Sequence, residues 1–346
     1  MLLAFWRIPF AFLILAAATS VASAQAPPAQ KQQDPTSASP FSNADRLLEH
    51  GKFSEAINEL ETMRTQTPPP KGLAHELGLA YYKKGEYVNA VLNLQAALKE
   101  KPDDNEATQL LGLSLYLGGK PAEAIPFLQK VQSWYPRANI DASYILGVAY
   151  IQTKQYALAR AAFAKMFGVP PDSASAYLFC GRMLLRQDFA PVAEEYGLKA
   201  TELDPKLPMA HYLVGEIYLY QSKIDQAIVQ FEQEMAVNPA FPSVYYKLAD
   251  AYSRVQKFDE AELLLQRSLW LDATSTGPFI LLGKVLQKKG EPELAMRALQ
   301  RAISMDPGNP IPHQLLGQAY RTLGQTADAE RELKQADELI RNPSKP

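Results

Sequence analysis

The sequence predicts an all-α solenoid built from nine tandem helix-turn-helix hairpins, and three columns of residues carry that prediction. Alanine recurs as Ala56, Ala90, Ala124, Ala159, Ala193, Ala227, Ala261, Ala295 and Ala329, at a spacing of 34 residues and once 35. Twelve residues before each stands another small residue: Ala44, Gly78, Gly112, Gly147, Gly181, Gly215, Ala249, Gly283 and Gly317. Twelve residues after the alanine stands proline in seven units, as Pro68, Pro102, Pro136, Pro171, Pro205, Pro239 and Pro307, with Ala273 and Arg341 as the exceptions.

Each column has a physical reading. Two helices approach closely only where no bulky side chain intervenes, which assigns the two small columns to a helix-helix contact. Proline cannot continue a helix interior, so the third column marks where a second helix has ended. Between the small columns lie turn signals such as Gly51-Lys52-Phe53, Gly85-Glu86-Tyr87, Gly119-Lys120-Pro121 and Gly290-Glu291-Pro292. Glycine there supplies the backbone freedom that ends a first helix. Large residues fill in around the small ones: Leu77, Leu111, Leu146, Val214, Leu248, Leu282 and Leu316 one before, and Tyr81, Tyr150, Tyr218, Tyr252 and Tyr320 one helical turn after. A single hairpin leaves an apolar side that only a neighbour covers, hence the array.

The chain divides accordingly. Residues 1–24 read as a secretory signal, with Arg7, an apolar run from Ile8 to Ala18, and the small residues Ala22-Ser23-Ala24 before Gln25. An uncleaved anchor is the alternative, although that run is shorter than the roughly 20 residues of a spanning helix. No cysteine follows the run, which argues against lipid attachment, and no second apolar stretch of spanning length occurs, so the processed chain is expected to be soluble. Residues 25–40 are rich in proline, glutamine and serine and form a linker. The array covers 37–343, in units of about 37–70, 71–104, 105–139, 140–173, 174–207, 208–241, 242–275, 276–309 and 310–343, followed by a tail, 344–346. Two places break the pattern. In the fifth unit Gly197 replaces the large residue expected after Ala193 and Asp188 replaces the turn glycine, which predicts thin packing. Between the seventh and eighth units the string Ala273 to Pro278 reads as flexible. The last helix is charged outside a stripe of Leu333, Ala336 and Ile340, as a terminal cap requires.

A 34-residue period with Gly or Ala in the first helix, Ala in the second and Pro at its end resembles the tetratricopeptide repeat, over nearly the whole processed chain. The resemblance implies a right-handed superhelix whose first helices line a concave groove, through repeat positions 2, 5, 9, 12 and 13. It also implies a scaffold that binds a protein or peptide there. Mapped onto this sequence, those positions hold Tyr82, Tyr116, Tyr144, Tyr212, Tyr220 and Tyr246. Exposed tyrosine makes a strong contact residue, while half-burial against adjacent helices is the competing reading. From the fifth unit on they also hold Arg182, Arg186, Arg254, Lys284, Lys288 and Arg321 against Glu216 and Asp250. That bias suits an acidic partner segment. Cations in the last turn of a helix are also favoured by its dipole, and only Arg182 and Lys284 escape that explanation. Relatives that clamp a chaperone's C-terminal carboxylate need asparagine at position 9; here that position holds Leu79, Leu113, Val148, Arg182, Glu216, Asp250, Lys284 and Gln318.

Chemistry finds little support. With 35 basic and 37 acidic residues, the chain lacks the excess that nucleic-acid binding draws on. His211 and His313 share one repeat position three units apart and cannot converge on a metal, and His75-Glu76 would need a second histidine where Leu79 stands. Neither a phosphate-cradling glycine loop nor a nucleophile elbow is present, and the single cysteine, Cys180, sits at a position held by leucine or valine elsewhere. The expectation is a protein without catalytic, cofactor or metal sites, acting outside the cytoplasm as a binding scaffold. Two further readings stay open: a subunit of an envelope or polysaccharide-export assembly, and a cell-wall glycan binder.

Overall fold

A computed structural model describes residues 39–134 and 140–342. The signal segment, the linker up to Ala38, Pro136 and the tail lie outside the described residues. These residues form eighteen α-helices and no strand. Each hairpin pairs two of them: α1 (Ser42–Glu49) with α2 (Phe53–Arg64), α3 (Leu73–Lys84) with α4 (Tyr87–Glu100), and α5 (Asn105–Leu117) with α6 (Pro121–Trp134). Next come α7 (Ile140–Gln152) with α8 (Tyr156–Phe167), α9 (Ala174–Arg186) with α10 (Ala190–Leu203), and α11 (Ala210–Tyr220) with α12 (Ile224–Val237). The last three are α13 (Pro242–Arg254) with α14 (Phe258–Leu271), α15 (Thr276–Lys289) with α16 (Pro292–Met305), and α17 (Pro310–Thr322) with α18 (Thr326–Arg341).

One local device sets every hairpin turn. One or two residues after the first helix stands a left-handed residue in all nine units: Gly51, Gly85, Gly119, Lys154, Asp188, Ser222, Gln256, Gly290 and Gly324, with φ between 59° and 83°. The next backbone N–H then donates to a carbonyl five residues back, as from Lys52 to Leu47, Gln155 to Tyr150 and Glu291 to Leu286. This closes a helix end by the Schellman arrangement. Four consecutive central units accept that geometry without glycine, although a left-handed L-residue costs roughly 1–2 kcal/mol. Glycine at Lys154, Ser222 or Gln256 should therefore raise stability, by about 0.5–1 kcal/mol each once its own unfolded-state entropy is counted. Thermal melts of the single and triple variants check this; an unchanged or lowered midpoint in the triple variant would refute it.

The small column is where the second helix inserts a large side chain. A Cβ on Gly78 would come within 2.6 Å of Leu94, on Gly147 within 2.4 Å of Phe163, on Gly215 within 2.5 Å of Phe231 and on Gly283 within 2.5 Å of Leu299. Each of those large residues is fully buried. The fifth unit corrects the expectation of thin packing. There Gly181 and Gly197 leave space that α11 of the next unit fills, with Leu213 at 2.9 Å from a Cβ on Gly181 and Val214 at 2.9 Å from one on Gly197. Cys180, Leu184, Leu213 and Val214 are all buried, and burial pushes the Cys180 thiol up to about 12. The supposed flexible string is also organised locally: Asp272 accepts from both the backbone N–H and the hydroxyl of Thr274, at 2.8 and 2.6 Å, and Pro278 is buried in the first turn of α15. Of the terminal stripe, Leu333 packs onto Gly317 and Ala336 is buried, whereas Ile340 is exposed.

Neighbouring units are also tied by a polar contact that the small and large columns do not encode. Tyr81 donates to Glu61 at 3.0 Å and Tyr252 to Glu232 at 2.7 Å; Tyr150 accepts from Gln129, and Tyr320 from Gln300 at 3.3 Å. In each case the partner stands five residues after the alanine of the preceding unit. The core tyrosines thus join a first helix to the second helix before it, with the ring in the core and the hydroxyl paired at its edge.

The candidate binding groove

First helices of successive units touch one another along most of the array: α3 with α5, α5 with α7, α9 with α11, and on through α13 and α15 to α17. No pair of second helices packs comparably among the described residues. Helices that touch their counterparts lie on the inside of a curve, so the first helices form the inner face and their outward-pointing side chains line a groove.

The structure separates the six groove tyrosines by what surrounds them. Tyr220 ends α11 and is 65% exposed. Tyr82, Tyr116, Tyr144 and Tyr246 are half-buried. Tyr116 accepts from Gln152 of the next unit at 3.2 Å, and Tyr144 leans on Phe163 with ring centroids 6.2 Å apart. Tyr212 is only 8% exposed, because its ring is clasped by Phe231 of its own hairpin at 5.7 Å and by Phe241, at the N-terminal cap of α13, at 5.1 Å. Burial, and then the Glu216 carboxylate that its hydroxyl faces, hold its proton well above the ordinary tyrosine range. Tyr212 is a packing residue whose hydroxyl alone reaches toward the groove.

The cations divide in the same way. Glu216 is engaged by Lys247 at 3.1 Å, and Asp250 by Arg254 at 2.8 Å, so the two groove carboxylates of this half are neutralised within the fold. Arg182, Arg186, Lys284, Lys288 and Arg321 are exposed or partly so, and none forms an ion pair with a described residue. Arg182 reaches Met209, whose Sδ lies 3.8 Å from its Nη1. The contrast within α15 is sharp. Lys288 has no carboxylate partner among the described residues, while the adjacent Lys289 pairs with Asp259, Glu262 and Glu291, the first two of which raise its proton affinity. Arg182, Tyr212, Glu216 and Tyr246 converge at the middle of the array. Tyr246 in turn lies beside Gly277, where a Cβ would meet its hydroxyl at 3.3 Å.

Two features of the site were not singled out from the sequence. Leu117 and Ile311 are exposed apolar residues at groove positions, and the occurrence of leucine and isoleucine at positions 13 and 2 was the available signal. The other is Glu234, a fully buried carboxylate that accepts from the backbone N–H groups of Met209 at 2.7 Å and Tyr212 at 3.2 Å. It caps the start of α11 and so holds the central groove residues in place.

Elsewhere, His211 and His313 are buried and pair with Gln230 and Glu332, each at 2.8 Å across their own hairpin. His75 faces Asp104 at 3.1 Å. Among the described residues no cluster of histidine, cysteine or carboxylates is arranged to hold a metal ion, and no helix is long and apolar enough to cross a membrane. A cleft of about 1010 Å³ lies between α2 and α4 over α3, away from the groove cations.

Profiles of the tetratricopeptide repeat match residues 75–139, 146–208 and 212–278, and a second such profile matches 286–344. The chain belongs to the tetratricopeptide-repeat family. It is built as a protein-interaction scaffold of that family. No curated protein matches it. Among solved structures, a tetratricopeptide-repeat protein with an unusual peptide-binding site, YrrB, is 21% identical over 49% of this chain and 87% of its own, with a TM-score of 0.44. MamA from Desulfovibrio magneticus RS-1 is 19% identical over 50% of this chain and 98% of its own, with a TM-score of 0.47. The Cut9-Hcn1 hetero-tetramer of the APC/C is 17% identical over 81% of this chain and 55% of its own, with a TM-score of 0.45.

Proposed function

We propose that this tetratricopeptide-repeat protein is a non-enzymatic scaffold working outside the cytoplasm, and that it holds an acidic polypeptide segment in its inner groove. One observation carries the reading. Five groove cations have no carboxylate partner among the described residues, while both carboxylates beside them are already neutralised. Unpaired cations collected on one concave face attract a ligand of opposite charge and set its position. The helix dipole accounts for Arg186, Lys288 and Arg321 in last turns, but not for Arg182 and Lys284 in mid-helix.

Selection from a displayed library of random peptides tests this. The wild-type array should enrich glutamate- and aspartate-rich members, and their binding should weaken as salt rises. The double reversal Arg182→Glu with Lys284→Glu should weaken those peptides by about tenfold or more, the factor that corresponds to 1.4 kcal/mol. Enrichment of peptides without acidic residues, or affinity untouched by the reversal, would sink the proposal.

The location rests on the signal-like residues 1–24. Small residues at Ala22 and Ala24 stand where a signal peptidase reads, so the processed N-terminus should be Gln25. N-terminal sequencing of the protein from fractionated cells checks it, and intact Met1 in the cytosol would end the claim.

A further inference from the structure

The groove changes character along its length. In the second to fourth units the groove positions hold Leu79, Tyr82, Tyr116, Leu117 and Tyr144, with Leu117 44% exposed and Leu79 and the tyrosines half-buried, Leu113 buried, and Gln109 and Gln152 as neutral polar neighbours. Among the described side chains there charge is sparse: Lys83 is exposed, and Glu106 lies beside His75 at 3.7 Å. From the fifth unit unpaired cations enter the lining, from Arg182 to Arg321, alongside the exposed Tyr220 and Ile311. The boundary falls between α7 and α9.

On the reading that the groove holds an acidic polypeptide, we infer that the captured segment is bipartite. An aliphatic or aromatic stretch seats on α3, α5 and α7, and an acidic stretch seats on α9 through α17. Two properties of the surface carry this. The apolar lining of the first part gains by losing water, which an acidic chain would oppose by bringing desolvated charge against it. The unpaired cations of the second part gain by pairing with carboxylates, and a purely apolar chain would leave them desolvated without partners. Only a segment that changes character in register with the groove satisfies both parts, and sliding it along by one boundary places each half against the wrong lining.

Four designed peptides of twenty residues make the test: apolar then acidic, acidic then apolar, wholly acidic, and wholly apolar. Each carries a photo-reactive leucine analogue near one end, and adducts are mapped on the full processed chain by mass spectrometry. One of the two bipartite peptides should bind at least tenfold more tightly than either uniform one, the order that wins reporting the chain direction. Its apolar end should cross-link within residues 71–173 and its acidic end within 174–343. Leu117→Glu, at an exposed position, should weaken the bipartite peptide and leave the wholly acidic one unaffected. Arg182→Glu should weaken both. Equal affinity of the wholly acidic and bipartite peptides, or apolar-end adducts on the fifth to ninth units, overturns the bipartite inference while leaving acidic capture intact. Failure of every acidic peptide to label the groove instead overturns the reading beneath it.

Discussion

Phe231→Ala should cost about 3–5 kcal/mol of folding stability, the range for emptying a buried aromatic site. Phe231 is fully buried, lies against Gly215 so closely that a single added methyl would overlap it, and contacts the ring of Tyr212. The cavity cannot be closed by Gly215, which has no side chain to move. Repeat arrays couple mainly through nearest neighbours, so the loss should centre on the fifth to seventh units. Hydrogen exchange should show α11, α12 and their neighbours losing protection first, with α3 and α4 little changed. Uniform loss across all nine units would contradict the nearest-neighbour account, and an unchanged melting point would contradict the packing itself.

The second large effect separates two tyrosines that share helix α11 and nominal groove positions. Tyr212→Ala should destabilise the fold by roughly 3 kcal/mol, because the ring is enclosed by Phe231 and Phe241. Tyr220→Ala should change stability by no more than about 0.5 kcal/mol, because its ring stands in solvent. Binding should respond in the opposite order when measured at a temperature where both variants are folded: Tyr220→Ala weakens acidic-peptide capture, while the conservative Tyr212→Phe keeps both stability and capture. Equal melting points for the two alanine variants would show that burial at position 212 carries no packing energy.

That pair also shows how far the sequence could be read. Columns of small, large and proline residues repeat at fixed spacing because every hairpin solves the same packing problem, so the fold was legible from residue types alone. Position within a helix is equally periodic, which is why the groove face could be mapped. Exposure is not periodic. Whether a tyrosine at position 5 is enclosed depends on what a different helix brings to it: Phe241 for Tyr212, and the bare backbone of Gly277 for Tyr246. The fifth unit was misread for the same reason. A pattern scored within one hairpin records Gly197 as a missing side chain, whereas Leu213 and Val214 of the following hairpin occupy the space. The left-handed turn was legible where glycine marks it and hidden at Lys154, Ser222 and Gln256, where flanking helices impose the geometry on residues that do not favour it. Charge bias along the groove was visible, but its meaning was not. Only the pairing of Glu216 with Lys247 and of Asp250 with Arg254 shows which cations are left without a partner.

The central claim is that the inner face, and not the outer one, engages the partner. Val229 on α12 is 50% exposed on the outer side of the same hairpin that presents Tyr220 at 65% on the inner side. A photo-cross-linking amino acid placed at each position in turn, in living cells, compares the two faces at matched exposure and within one repeat unit. Adducts with one protein from position 220, lost on Arg182→Glu with Lys284→Glu and absent from position 229, are the predicted result. Adducts from position 229 with none from position 220, or adducts from 220 that survive the charge reversal, would contradict it.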